Sequence, residues 1–137
     1  DAAAMLPLIR RHAEYECGEA NVSEAALRSA LDDPPVVLTA WIATQTGEPV
    51  GYATATADFS TWSGQSFLYL DCLFVQEQCR GRGVGAQLLA AVRATAASRG
   101  MAEIQWQTPE WNEGAIRFYR REGATVLRKA RFTLRTT

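Results

Sequence analysis

Three glycines at the start of a helical pattern constrain this chain more than any other feature. Gly81, Gly83 and Gly85 stand at alternate positions of the run CRGRGVGAQLL, directly before apolar residues at helical spacing. A glycine inside a helix costs about 1 kcal/mol relative to alanine, so three of them together indicate a requirement of the backbone. Either the chain turns tightly at this point, or a ligand comes very close to the main chain.

The segments on either side place these glycines between a strand and a helix. Residues 66–75, SFLYLDCLFV, are apolar at successive positions and predict an interior strand. Residues 84–99 predict a helix that ends at Gly100. A glycine loop in this setting is typical of a phosphate site, because the first helical N–H groups are unpaired and the helix dipole is positive there. The residues alone leave a tight turn open as the alternative.

Two familiar nucleotide motifs do not fit the glycine run. A Walker motif ends in Gly-Lys-Ser or Gly-Lys-Thr, and no lysine follows these glycines. The dinucleotide fingerprint has the spacing GxGxxG after the first strand of a βαβ unit, whereas GxGxG follows a third strand here. Arg80 and Arg82 would add positive charge for a phosphate group.

The whole chain predicts a mixed α/β (α+β) fold. Three strands in succession predict an antiparallel meander, and the helix at 84–99 predicts a parallel crossover to a fourth strand. A length of 137 residues favours a single domain, 1–137. The pattern predicts helices at 2–16, after the N-cap Ser23, at 84–99 and at 113–122, strands at 36–44, 50–59, 66–75 and 101–107, and two short strands within 124–135.

Charge and cysteine content argue against several classes of function. The 14 basic and 15 acidic side chains give a net charge of −1, so nothing drives the whole chain toward nucleic acid or an anionic membrane. Three irregularly spaced cysteines and the single His12 favour neither a disulfide framework nor a metal site. We therefore expect no metal, reduced thiols and a cytoplasmic location. No apolar run approaches the roughly 20 residues of a membrane span.

Two motifs resemble those of a known family, the GNAT N-acetyltransferases. The run VQEQCRGRGVGAQLL resembles the acetyl-coenzyme A motif of that family, Arg/Gln-x-x-Gly-x-Gly/Ala, with Arg80, Gly83 and Gly85 on the pattern. The run WNEGAIRFYRREGA, residues 111–124, resembles a second family motif, Asn-x-x-Ala-x-x-x-Tyr. That motif falls on Asn112, Ala115 and Tyr119.

The resemblance extends to one branch of the family, the diamine (spermidine/spermine) N-acetyltransferases. The runs EYE at 14–16, TWSG at 61–64 and LYLDCLFV at 68–75 look like that branch. The resemblance implies the GNAT fold, a central mixed and mostly antiparallel twisted sheet flanked by helices, with acetyl-CoA as cofactor and a homodimer. The family fold begins with a strand before the first helix, so we expect that strand to be missing from this chain.

The resemblance also implies which residues bind the cofactor. The backbone of Leu73, Phe74 and Val75 would pair with the pantetheine arm, and an N–H near Phe74 or Val75 would serve as the oxyanion donor. Asn112 would hydrogen-bond the arm, and Ala115 would leave room for it. The pyrophosphate would lie on the main-chain amides of Gly81, Arg82, Gly83, Val84, Gly85 and Ala86, beside Arg80.

Two residues are candidates for the acid–base chemistry. Tyr119 would be the general acid on the departing sulfur, since a phenol with a pKa of about 10 is protonated at neutral pH. The alternative for Tyr119 is a core aromatic beside Phe118. Asp71 is expected as a buried carboxylate within an apolar strand, where the branch carries a glutamate that contacts the amine. Since aspartate is one methylene shorter, we expect it to act through water; the alternative is a structural carboxylate that caps a bulge.

The acceptor residues come from the resemblance as well. Tyr15 and Glu16 match a substrate-contacting pair of the branch, with a solvated helix end as the alternative. Three tryptophans, Trp62, Trp106 and Trp111, are candidates for the wall of the acceptor site, and the alternative for each is that it fills the core. Trp41 is expected in the core.

One departure from the branch bears on the substrate. Arg128, Lys129 and Arg131 stand where the branch has an acidic residue, and they would repel a second ammonium group. We therefore expect transfer of acetyl to a primary amine of a small molecule, among which a monoamine or lysine-like amine is favoured over a diamine or polyamine. Attack would be direct, because neither Cys72 nor Cys79 has a histidine nearby in sequence. The alternatives are a non-catalytic acyl-CoA-binding module and a protein or peptide N-acetyltransferase.

Overall fold

The computed structural model describes residues 1–137 and confirms the mixed α/β class. Its residues form two compact units, 1–107 and 108–137, which are described separately; the single domain stays a prediction. The elements are α1 (Ala2–Tyr15), α2 (Glu24–Asp32), β1 (Thr39–Gln45), β2 (Glu48–Ser60), β3 (Gln65–Val75), α3 (Val84–Ser98), β4 (Ile104–Gln105) and α4 (Glu113–Arg121), with a 3₁₀ turn at Glu77–Cys79.

The first unit is built on a four-stranded sheet in the order β1-β2-β3-β4. The antiparallel pairs β1/β2 and β2/β3 confirm the predicted meander. The parallel pair β3/β4, connected through α3, confirms the predicted crossover. Only Leu68 and Tyr69 of β3 face β4 partners, so β4 is shorter than the predicted 101–107.

A bulge in β3 changes which face of the sheet its side chains occupy. Thr54 of β2 faces Cys72, but the next residue, Ala55, faces Leu70, so Asp71 is the extra residue. Side chains alternate with a period of two along a strand, and one inserted residue reverses the alternation. Consequently Leu70 joins the core on the α3 side of the sheet, whereas Phe74, four residues later, joins the core on the α1 side.

Two hydrophobic cores, one on each face of the sheet, hold the first unit together. The core on the α3 face contains Val50, Ala53, Ala55, Leu68, Leu70, Cys79, Val84, Leu88, Leu89, Val92 and Ala96. The core on the other face joins α1 and α2 to the sheet through Ala2, Met5, Leu8, Leu27, Tyr52 and Phe74. Trp41 packs against the first of these cores, as expected.

The helix ends follow the sequence signals. The Ser23 hydroxyl accepts a hydrogen bond from the Ala26 amide at 3.1 Å, which confirms the predicted N-cap of α2. Gly100, predicted to stop α3, follows that helix with φ of +72°. This left-handed conformation is the one that glycine adopts at helix ends without strain.

The two predicted strands of the tail are absent, and the first predicted strand begins later than expected. Residues 124–137 form no strands, and Phe132 and Leu134 are exposed. Alternation of apolar side chains defines two faces but does not supply the partner strand that a stable sheet requires. The first strand begins at Thr39 rather than at residue 36, because the amides of Val37 and Leu38 donate to the Ala30 carbonyl of α2 instead of to a strand.

No helix has both the length and the apolar character that crossing a membrane requires.

Gly51→Ala should destabilise the fold, because an added Cβ at Gly51 would lie 2.9 Å from the Phe74 carbonyl oxygen and 3.3 Å from Leu88 Cδ1. Overpacking of this kind costs about 1–3 kcal/mol, which urea unfolding followed by circular dichroism would measure. Gly114→Ala is the matched control, because its Cβ would meet no atom closer than 3.9 Å. An equal free energy of unfolding for the two variants would contradict the prediction.

Candidate active site

The glycine loop before α3 is an open backbone turn. Gly81 and Gly83 have φ of +77° and +80°, a region that favours glycine. A Cβ added at either position would meet nothing within 4 Å, so the space beside this backbone is free. Gly83 is the N-cap of α3 and no side chain caps the helix. The tight turn and the phosphate cradle are therefore compatible, because the glycines that make the turn also leave the first amides of α3 accessible.

The end of β3 is open on its β4 side. Pairing with β4 stops at Tyr69 and Gln105, so the predicted cofactor residues Leu73, Phe74 and Val75 extend past the last β4 partner. The 3₁₀ turn at Glu77–Cys79 joins this strand end to the glycine loop. A strand end without a β4 partner, beside a helix N-terminus without a side-chain cap, fits an extended chain that carries a pyrophosphate, as acetyl-CoA does.

Arg80 connects the glycine loop with the end of α1. Its Nε donates to the Val75 carbonyl oxygen at 2.9 Å. Its Cζ lies 4.4 Å from the ring centroid of Tyr15 and 5.5 Å from that of Phe74, which is cation–π geometry. A predicted cofactor residue and a predicted acceptor residue are thus in direct contact.

Asp71 is exposed, so the prediction of a buried carboxylate was wrong. As the extra residue of the bulge it is excluded from the regular alternation, and its side chain reaches water although its neighbours are apolar. The Cys72 thiol donates to Asp71 Oδ2 at 3.7 Å. Burial, followed by the negative charge of Asp71, raises the pKa of Cys72. A thiol held protonated in this way is a poor nucleophile, which favours direct attack by the amine over an acyl-enzyme.

His12 of α1 and Tyr52 of β2 form a polar pair that the sequence did not predict. His12 Nδ1 lies 2.6 Å from the Tyr52 hydroxyl oxygen, and His12 Nε2 lies 2.8 Å from Glu16 Oε2. The imidazole also stacks on Phe74, with ring centroids 5.1 Å apart and planes at 21°. The spacing of four residues between His12 and Glu16 was a usable signal, because side chains at i and i+4 meet on a helix. No sequence pattern indicated that Tyr52 would contact His12.

Tyr52 is a fully buried residue of the core on the α1 face. Burial is the main reason that its pKa is raised, and the neighbouring Cys72, Asp71 and Glu16 raise it further. The phenol therefore remains protonated, and it takes part in hydrogen bonds as an intact hydroxyl group.

The second unit contains the other predicted motif. Asn112 Oδ1 accepts a hydrogen bond from the Ala115 amide at 3.2 Å and so caps α4. Tyr119 is half-buried on α4, and its ring centroid lies 5.3 Å from that of Phe118. This contact agrees with the alternative prediction, in which Tyr119 is an aromatic residue packed beside Phe118.

The tryptophans separate into partly buried and exposed ones. Trp106 packs against the core on the α3 face, which favours the packing alternative over a wall of the acceptor site. Trp62, in the turn between β2 and β3, is fully exposed and so does not fill the core. Trp111 is more than half exposed.

Residues 4–124 match the family described as the acetyltransferase (GNAT) family. The chain belongs to this family. It is therefore an N-acetyltransferase, and acetyl-CoA is the acetyl donor that GNAT acetyltransferases use. The predicted family, fold, enzyme class and cofactor are confirmed.

Relatives of this GNAT chain acetylate amines. It is 33% identical to the thialysine N-epsilon-acetyltransferase of Bos taurus over 140 residues, which cover 95% of this chain and 82% of the relative. The Mus musculus protein of the same name is 31% identical over 93% of this chain and 80% of its own length. An aminoglycoside acetyltransferase from an uncultured soil metagenomic sample shares the fold, with a TM-score of 0.81, 20% identity and coverage of 100% of this chain and 90% of its own.

Asp71→Asn should accelerate the alkylation of Cys72 by iodoacetamide at about pH 8, somewhat below the ordinary thiol pKa of about 8.5. Removing the carboxylate removes one cause of the raised pKa of Cys72, so more thiolate is present at the same pH. Peptide mass spectrometry would give the rate for each cysteine. The exposed Cys17 is the internal control and should react equally fast in both proteins. An unchanged rate for Cys72 would show that Asp71 does not control this thiol.

Proposed function

We propose that this chain transfers acetyl from acetyl-CoA to a primary amine of a small, lysine-like molecule by direct attack of the amine. The observation that carries the proposal is the exposed Asp71 carboxylate, which lies at the bulge beside the open end of β3. The choice of a lysine-like acceptor draws on the relatives named thialysine N-epsilon-acetyltransferase.

The cofactor would bind along β3 and the glycine loop. The backbone of Leu73–Val75 would hold its extended arm, and the amides from Gly81 to Ala86 would hold its pyrophosphate. Bound there, acetyl-CoA supplies the activated acyl thioester. The open space at Gly81 and Gly83 and the absence of a side-chain cap on α3 support this assignment.

Asp71 would accept the proton that the amine must lose. A lysine-type amine has a pKa of about 10.4 and reaches the enzyme as an ammonium ion, which is not a nucleophile. The Asp71 carboxylate offers acceptor oxygens on an exposed side, while Cys72 donates to its Oδ2. Since aspartate is short, the transfer would run through one water molecule.

Tyr119 would donate its phenolic proton to the leaving sulfur. It stands at the tyrosine position of the family motif, and Asn112 begins the same helix. Asn112 and Ala115 would contact the cofactor arm in addition to forming the helix cap.

Tyr15 and Glu16 would bind the part of the acceptor beyond the reacting amine. Glu16 would attract a second positive group, such as the α-ammonium of an amino acid. Arg128, Lys129 and Arg131 would disfavour long polyamines, in which several ammonium groups follow one another. Arg128 Nη1 lies 3.7 Å from Glu110 Oε1, and both side chains are largely exposed.

The oligomeric state and the location also belong to the proposal. A homodimer is expected from the family, and size-exclusion chromatography with light scattering would test it. A cytoplasmic location agrees with three free cysteines.

Purified protein should consume acetyl-CoA with thialysine or lysine at a higher kcat/KM than with spermidine or a short peptide. The measurement is release of free coenzyme A, with mass spectrometry of the acetylated amine. Preference for a peptide would favour the protein acetyltransferase alternative. Binding of coenzyme A without turnover of any amine would favour the non-catalytic module.

Asp71→Asn should lower kcat by about 10²–10⁴-fold, the usual contribution of general acid–base catalysis. Asp58→Asn is the matched control, because Asp58 is an exposed carboxylate of β2 that bonds only the neighbouring Phe59 amide. Equal activity of the two variants would argue against Asp71 as the base.

Tyr119→Phe should lower kcat with little change in the KM for acetyl-CoA, because the ring is kept and only the proton donor is lost. Tyr69→Phe serves as control, since the hydroxyl of Tyr69 bonds Gln107 on the surface. Unchanged kcat with a good amine acceptor would overturn the acid role of Tyr119.

A further inference from the structure

His12 is held on three sides by neighbours that restrict its ring to one orientation. Nδ1 faces the Tyr52 hydroxyl oxygen at 2.6 Å, and Nε2 faces Glu16 Oε2 at 2.8 Å. The ring is stacked on Phe74 and lies edge-on to Tyr52, with centroids 5.7 Å apart. Only about 15% of the imidazole is exposed.

The chemistry of its partners determines the roles of the two ring nitrogens. An ionised carboxylate only accepts hydrogen bonds, so Nε2 must carry the hydrogen that Glu16 receives. When the ring is neutral and Nε2 carries the hydrogen, Nδ1 is an acceptor and the Tyr52 hydroxyl can donate to it. Turning the ring over would break both hydrogen bonds, so Tyr52 fixes the imidazole and the imidazole fixes Glu16.

Glu16 occupies a position that does not favour a carboxylate by itself. It is the C-cap of α1, where unpaired carbonyl groups and the helix dipole give partial negative charge. About a third of its side chain is exposed, so without His12 it would turn toward water. A carboxylate has about four lone-pair sites, and the bond from His12 occupies one of them. The others are available to a positively charged ligand.

We propose that His12 is a positioning residue that fixes the Glu16 carboxylate to receive the second charged group of the acceptor. The ligand class is a primary amine that carries a further ammonium group, as the α-ammonium of a lysine-like amino acid does. This inference rests on the proposed function, because it assigns Glu16 to the acceptor site. His12 itself does not contact the reacting atoms and takes no proton from them.

The kinetic test uses His12→Phe, which keeps an aromatic ring against Phe74 and removes both hydrogen bonds. The KM for thialysine should rise on the order of tenfold, the value of one lost hydrogen bond to a charged group. The KM for acetyl-CoA should stay unchanged. The KM for n-butylamine, which has the reacting amine but no second charge, should also stay unchanged. Equal increases for thialysine and n-butylamine, or none for either, would overturn the proposal.

Three further variants separate positioning from general damage to α1. His12→Gln keeps a donor and an acceptor on one side chain and should recover part of the lost selectivity for thialysine over n-butylamine. Tyr52→Phe should reduce that selectivity less than His12→Phe, because the bond to Glu16 survives. Ile9→Ala removes packing from the same core and should lower stability without changing selectivity. Loss of selectivity in Ile9→Ala would overturn the proposal.

A second measurement does not depend on turnover. In protein labelled with ¹⁵N-histidine, thialysine added without acetyl-CoA should shift the Nε2 resonance of His12, and n-butylamine should leave it in place. The single histidine of the chain makes the assignment unambiguous. Absence of a shift would overturn the role of His12 even if thialysine is acetylated. A shift without acetylation would contradict the proposed function and leave the positioning role supported.

Discussion

The insertion of Asp71 into β3 is the constraint on which the arrangement of the site depends. Before the bulge, Leu68 and Leu70 face α3; after it, Phe74 faces α1. One strand thereby contributes to both cores, and the extra residue itself is left exposed to water. Without the insertion, Phe74 would point to the same face as Leu70, and neither His12 nor Arg80 could lie against its ring. The exposure of Asp71 and the orientation of Phe74 therefore have the same cause.

The sequence predicted the elements whose signals are local. The spacing of apolar residues predicted the bounds of α1, α3 and α4 to within one or two residues. The turns between the first three strands predicted the antiparallel meander. The strand predictions were wrong where a backbone amide had two possible hydrogen-bond partners. The amides of Val37 and Leu38 bond a helix carbonyl rather than a neighbouring strand, and no local pattern distinguishes these outcomes. The same reason explains the tail, whose alternation was clear but whose partner strand is absent.

Some parts of the candidate site could be predicted from the sequence and others could not, and the difference has a physical reason. The glycine loop could be predicted because residues other than glycine rarely adopt a positive φ, which Gly81 and Gly83 both have. The bulge was considered only as the structural alternative for Asp71, because a strand that is apolar on both faces shows no alternation that an insertion could interrupt. The pair of His12 and Tyr52 joins residues 40 positions apart, and each alone is an ordinary residue of its element. Contacts of this kind come from the packing of α1 on the sheet.

The position of Arg80 would couple the proposed phosphate site to the proposed acceptor site. Its guanidinium lies over Tyr15 while its Nε holds the strand end at Val75. A phosphate that drew the guanidinium toward the glycine loop would remove a cation from the face of Tyr15. By linkage, any molecule that binds at Tyr15 would then change the affinity for that phosphate by the same factor. The two ligands would not bind independently, and the size of their coupling would depend on this single side chain.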